Sequence, residues 1–176
     1  NYLVSMSTKE VGMTEYAKNT FGKDSEEAKQ TYKLGDMNTT LIQTEKGKTI
    51  LIQHDVTSPR PYDRKHVVSG TKGFAQKYPE PGISIEADNE AVQGLDYQNL
   101  SGHAYVPEET FNKLMADYEH PVIKQVGAKA QEVGGHGGMD FVMDYRLIYC
   151  LRNGLPLDMD VYDAAEFSCL TGLSEL

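Results

Sequence analysis

The sequence predicts an α+β chain built on a mostly antiparallel, open-faced β-sheet with helices packed on one face. Three observations carry this. Asn38-Thr39-Thr40-Leu41-Ile42-Gln43-Thr44 and Thr49-Ile50-Leu51-Ile52-Gln53-His54 are rich in β-branched residues and flank the glycine-bearing turn Glu45-Lys46-Gly47-Lys48, the pattern of an antiparallel hairpin. Strand-like segments fill the first half of the chain, and helical periodicity fills the second. That segregated order belongs to α+β rather than alternating α/β architectures.

Taken in order, Tyr2 to Thr8 reads as a short strand. Glu10 to Leu34 is polar and mixed, and reads as an irregular insertion with a turn of helix near Ser25 to Gln30. After the hairpin, His66 to Thr71 and Ile83 to Glu86 read as further strands, separated by a loop over Gly73 to Gly82 that contains Pro79 and Pro81. Asp88 to Val106 has no firm period. Pro107 opens a helix with Glu108 and Glu109 in its first turn, continuing to about Tyr118. Val122 to Val133 is a second helix, weakened by Gly127. Met139 to Asn153 is a third, closed by Gly154 with Arg152 in its last turn. Its many apolar residues predict a largely buried helix. Asp160 is placed to cap a fourth helix running toward Cys169.

At 176 residues, 39% hydrophobic and 24% charged, the chain reads as one globular domain over residues 1–176. A net charge of −9 argues against a nucleic-acid partner. No apolar run approaches the ~18 residues of a membrane span. Cys150 and Cys169 read as small core residues. The chain starts at Asn1 without a signal segment, and is expected to be a piece of a longer polypeptide. Eleven tyrosines without a tryptophan suit polyhydroxylated ligands and equally suit wet cores.

Two stretches carry the candidate chemistry. In Gly134-Gly135-His136-Gly137-Gly138-Met139-Asp140, four glycines flank one imidazole just before an apolar helix. Glycine allows positive φ and close backbone approach, and a helix N-terminus attracts anions and polar oxygens. The stretch can also be read as a flexible linker capped by a helix; the abrupt return to apolar sequence favours a site. Asp140 and Asp144 are four apart near the helix start, where acids also simply suit the dipole. In His54-Asp55-Val56-Thr57-Ser58-Pro59-Arg60-Pro61-Tyr62, two prolines stiffen a loop at a strand exit. Arg60 and Tyr62 are thereby held where binding residues often sit, or at a surface corner with Arg60 in solvent. His54 and Asp55 stand at the strand exit, where they can pin that loop.

The usual complete motifs are missing. The glycine stretch lacks the Gly-Lys-Ser/Thr ending of a P-loop and the spacing of a dinucleotide fingerprint. Asp158, Asp160 and Asp163 lack the later Gly and Glu of a calcium loop. The histidines at 54, 66, 103, 120 and 136 lack zinc spacing, and there is no Gly-x-Ser-x-Gly elbow. No metal is expected, and no catalytic residue is assigned within this chain.

The segments His54 to Tyr62, Gly134 to Phe141 and Leu157-Asp158-Met159-Asp160-Val161-Tyr162-Asp163-Ala164-Ala165, in that order, resemble the C-terminal part of the NAD-dependent α-N-acetylgalactosaminidases, glycoside hydrolase family 109. Tyr2 to Ser7 is similar to the start of that part's sheet. The resemblance implies a Gfo/Idh/MocA-type C-terminal domain, with the N-terminal Rossmann domain and its catalytic residues absent from this chain. It implies NAD, bound mainly by that missing domain, and removal of terminal α-N-acetylgalactosamine by transient oxidation at C3 and elimination. Tyr62 matches a tyrosine of the family's sugar pocket. His136, Arg60 and His54 are carried with it as substrate-binding residues. The implied partners are an N-acetylgalactosaminide and a second copy meeting through the open sheet, in an exported or periplasmic bacterial setting. The chain alone is expected to be inactive. A sugar or inositol dehydrogenase domain of the same superfamily, or a non-catalytic carbohydrate-binding or oligomerisation module, remains an alternative.

Overall fold

The computed structural model describes residues 2–175. Its strands form two three-stranded antiparallel sheets, whereas the sequence suggested a single open sheet. In the first, β1 (Tyr2–Ser7) pairs with β2 (Met37–Gln43), which pairs with β3 (Thr49–Asp55). In the second, β4 (Val67–Ser69), β5 (Gly73–Gln76) and β6 (Gly82–Ile85) form a meander. The prolines at 59 and 61 fall in the chain segment that joins β3 to β4. Proline cannot donate to a ladder, so strand pairing stops there and resumes only at Val67.

The α+β class holds, with six α-helices among the described residues: α1 (Gly12–Phe21), α2 (Glu26–Lys29), α3 (Glu108–Asp117), α4 (Pro121–Val133), α5 (Met139–Asn153) and α6 (Val161–Leu173). The chain divides into two compact units, one running to Tyr62 and taken up again from Val161, the other Asp63–Asp160.

In the first unit the sheet has two unlike faces. Partners across an antiparallel pair share a face, and the register sets Val4 opposite Leu41 and Leu41 opposite Leu51. These three, with Tyr2 and Met6, form an apolar face that is exposed. The opposite face carries a polar ladder. Asn38 donates from Nδ2 to the hydroxyls of Ser5 and Ser7, at 2.8 and 3.0 Å. Thr40 Oγ1 donates to Asn38 Oδ1 at 2.8 Å and lies 2.9 Å from Ser5 Oγ.

The insertion expected to be irregular contains α1. Val11, the residue before it, offers no side-chain cap. Asp36, distant in sequence, supplies one: its carboxylate accepts from the backbone N–H of Gly12 at 2.9 Å and of Val11 at 3.1 Å. Glu10 adds a second acceptor, taking the N–H of Thr14 at 2.8 Å. The first donors of the helix are thus shared between a neighbour and the residue that introduces β2.

The second unit has its core at Val92, Tyr97, Val106 and Leu114, against which Ile83, Ile85, Leu100 and Phe111 pack. Ile83 and Ile85 alternate along β6, so one face of that sheet meets α3 through Phe111 and Leu114. The segment without a sequence period thus supplies half the core. Of the loop expected over Gly73 to Gly82, the first four residues are strand β5, which the backbone bonds of β4 and β6 enforce from both sides, and residues 77–81 with Pro79 and Pro81 are the loop.

Two burial expectations fail. In α5 only Cys150 is fully buried, while Met143, Leu147, Ile148 and Leu151 are exposed. Cys169 is exposed as well. Hydropathy states what a side chain tolerates, and the covering has to come from another element.

Candidate functional site

The glycine stretch is a tight connection between α4 and α5, with a single 3-10 turn at His136–Gly138. All five residues from 134 to 138 have positive φ: 83° at Gly134, 78° at Gly135, 47° at His136, 70° at Gly137 and 91° at Gly138. Four of them lack the Cβ that makes this region costly. His136 is the one side chain displayed from the run. At Gly138 space matters too, since a Cβ would lie 2.8 Å from the carbonyl carbon of Ala130 on α4. The two helices meet there because the position has no side chain.

His136 Nδ1 lies 2.9 Å from Asp140 Oδ2 and 3.2 Å from Oδ1. A carboxylate only accepts, so Nδ1 carries the proton and donates, which leaves Nε2 of the neutral ring as an acceptor. The imidazole is 75% exposed, so Nε2 is open to a ligand. Asp140, read from sequence as an acid suited to the helix dipole, is the orienting partner of the imidazole. The signal was present as the four-residue spacing between the two.

The pair stands beside a cavity of about 860 Å³ enclosed by α4, the glycine loop, α5 and Leu157–Met159. Ile123, Val142 and Leu147 provide apolar walls, and Cys150 lies in the lining. Polar groups also line it, among them Lys77, His120, Gln131, His136, Asp144 and Arg146. His120 Nδ1 accepts from the N–H of Val122 at 3.2 Å and caps α4, with Pro121 following. Arg146 is bound in bidentate fashion to Asp158, Nε and Nη2 each 2.8 Å from one carboxylate oxygen. The Arg146 hydrogen bond holds the Asp158 carboxyl below the usual range against its partial burial. This volume falls within the range of small-ligand sites, as does the mix of apolar wall and few polar groups.

The proline corner is arranged differently. Asp55 Oδ1 accepts from the N–H of Ser58 at 3.0 Å, and Arg60 Nη2 forms an ion pair with Asp55 Oδ2 at 2.8 Å. The Asp55 carboxyl is held low first by the Ser58 backbone bond, then by the Ser58 hydroxyl and the Arg60 charge, against the opposing effect of burial. Arg60 is thus tied to the corner by its ion pair while remaining exposed at the surface. His54 is exposed on β3, opposite Asn38. Tyr62 is 68% exposed. His54, Arg60 and Tyr62 belong to the first unit, and His136 belongs to the second.

The glycine loop does not suit a dinucleotide. A pyrophosphate-binding turn joins a strand to a helix, and Gly134 to Gly138 joins helix to helix. Among the described residues no group of three or more His, Cys, Asp or Glu converges as metal ligands, and no helix is long and apolar enough to cross a membrane.

A family model described as the C-terminal domain of glycosyl hydrolase 109 matches residues 1–176. The chain belongs to this family. An alpha-N-acetylgalactosaminidase of Bacteroides fragilis is 57% identical over 175 residues, which is 99% of this chain and 38% of the relative. A glycosyl hydrolase family 109 protein of Phocaeicola vulgatus is 52% identical over 174 residues, covering 99% of this chain and 39% of its own length. One from Porphyromonas gingivalis is 50% identical over 175 residues, again 99% of this chain and 36% of the relative. The chain thus spans less than two fifths of these relatives. The glycine loop, the His136–Asp140 pair and the proline corner all lie within the matched residues.

Proposed function

We propose that this chain is the substrate-binding part of a glycosidase that removes terminal α-N-acetylgalactosamine. The observation that carries the reading is the His136–Asp140 pair beside the α4–α5 cavity, in a chain 57% identical to an alpha-N-acetylgalactosaminidase. His136 Nε2 accepts a hydrogen bond from a sugar hydroxyl. Asp140 keeps the ring in the tautomer and orientation that this requires. The apolar lining from α4 and α5 sheds water from around the ring. The volume is ample for one hexosamine. Tyr62, on its own unit, offers a phenol ring and hydroxyl to the same class of ligand.

A dinucleotide held by a Rossmann domain outside this chain, and a Gfo/Idh/MocA-type architecture for the whole, are parts of the same proposal. So is self-association through the apolar face made by Tyr2, Val4, Met6, Leu41 and Leu51, since such a face exposed on a sheet marks a contact surface.

The decisive experiment is hydrolysis of an aryl α-N-acetylgalactosaminide by the protein carrying this chain. His136→Ala and Tyr62→Phe are expected to lose at least roughly tenfold in kcat/KM, about 1.4 kcal/mol, with folding retained. Wild-type turnover in both variants would remove the reading.

A further inference from the structure

The second unit carries another recess, of about 440 Å³, formed by β5, β6 and the segments 69–72 and 102–105. It shares no lining residue with the α4–α5 cavity. Two glycines beside it have ordinary φ, so conformation does not require them. Space does. A Cβ at Gly82 would come within 2.8 Å of the Tyr105 ring, and one at Gly102 within 1.9 Å of Glu86 Oε1. Tyr105 therefore lies against one bare backbone and the Glu86 carboxylate against another. Phe74 adds a second ring, its centroid 6.2 Å from that of Tyr105.

The polar groups are available as well. Among the described residues the Glu86 carboxylate takes no hydrogen bond and no ion pair, and neither does the His103 ring. The one ammonium in the lining, Lys72, is taken up by Asp88 at 3.0 Å. Ser69 and Thr71 contribute hydroxyls.

We infer that this recess is a second carbohydrate subsite, binding a neutral pyranose ring. A carboxylate has two oxygens that accept together from a pair of neighbouring hydroxyls. An aromatic ring beside it packs the apolar C–H face of the sugar. Hydroxyls and an imidazole match groups that both donate and accept. The inference rests on the glycan-handling role proposed above, and it places a sugar ring other than the one being cleaved in this recess. The competing ligand for a carboxylate beside aromatic rings is an organic cation.

The test is a titration of the protein carrying this chain with galactose, followed by the backbone amide resonances. Saturable shifts are expected at Gly82 and Gly102, with a Kd of roughly millimolar order. Glu86→Gln, which preserves shape, and Tyr105→Ala should each weaken binding at least about tenfold, while hydrolysis of a small aryl glycoside by Glu86→Gln stays at the wild-type level. Shifts confined to Gly134–Gly138 would leave the His136 reading standing and overturn the second subsite. Unchanged affinity in Glu86→Gln, or binding of tetramethylammonium but not galactose at Gly82 and Gly102, would overturn it too. Loss of aryl-glycoside hydrolysis in Glu86→Gln would assign the recess to the reaction itself and likewise end the proposal.

Discussion

Arg146 and Asp158 face each other as a fork, Nε and Nη2 each 2.8 Å from a different carboxylate oxygen. This pairing fastens the segment after Gly154 to the middle of α5, at the edge of the cavity that His136 borders. Arg146→Lys keeps the charge and loses the fork, because an ammonium is a point donor. Hydrogen exchange at Leu157 to Met159 should quicken in Arg146→Lys and Asp158→Asn while the exchange of α3 is unchanged. Equal protection in wild type and variants would show that other contacts hold the segment.

The glycines between α4 and α5 should not be equivalent. Gly137 and Gly138 both have positive φ, but a Cβ meets open space at Gly137 and the Ala130 backbone at Gly138. Gly137→Ala should cost about 1–2 kcal/mol, the left-handed strain alone. Gly138→Ala adds a steric term of roughly 1–3 kcal/mol. Urea denaturation of the two variants compares them directly, and equal losses would mean that α4 yields to the intruding methyl.

Acid should loosen the first unit through Asp36 and Asp55. Burial raises the Asp36 pKa, but the backbone N–H bonds of Gly12 and Val11 and the Thr57 hydroxyl together outweigh it, so the folded value lies below normal. The unfolded carboxyl titrates near about 3.9. A depressed folded value means that the unfolded chain takes up protons first. The stabilisation is complete well above pH 4 and disappears as pH falls through the folded pKa. Asp36→Asn should therefore be less stable than wild type at neutral pH and should show a shallower decline below pH 4. Parallel melting-temperature curves for the two proteins would contradict this.

The role of Asp140 as an orienting group separates from a merely structural one by rescue. Asp140→Asn can place an amide N–H against Nδ1 and so favour the opposite tautomer, in which Nε2 is no longer an acceptor. The loss in kcat/KM should approach that of His136→Ala, roughly tenfold. Asp140→Glu, which restores an acceptor for Nδ1, should recover part of the activity. An Asp140→Glu variant no more active than Asp140→Asn would indicate a packing defect.

Much of this was legible in the residues. The β2–β3 hairpin declares itself through β-branched runs around Gly47, and α5 begins and ends where its glycines say it should. α1 was not legible, because its two leading N–H groups are capped by Asp36, distant in sequence, and Glu10 is not a usual capping residue. β5 resembles a loop until β4 and β6 bond to it from either side. At the site, His136 stood out by composition, whereas Asp140 had a sufficient local explanation as a helix-start acid. Glu86 and Tyr105 lie in or beside sequence without a period, and their meeting depends on the gaps at Gly82 and Gly102. Such gaps are tertiary facts that leave no pattern along the chain.

The run of positive φ from Gly134 to Gly138 has a consequence for handedness. Its backbone follows the conformation native to the mirror-image amino acids, for which positive φ is the relaxed state. A D-alanine introduced by chemical ligation at Gly134 or Gly137 would meet no backbone strain and would narrow the unfolded ensemble, a gain of about 0.4–1 kcal/mol where L-alanine brings a loss. The loop is a short heterochiral turn spelled in achiral residues, with His136 the single left-handed residue bearing an L side chain.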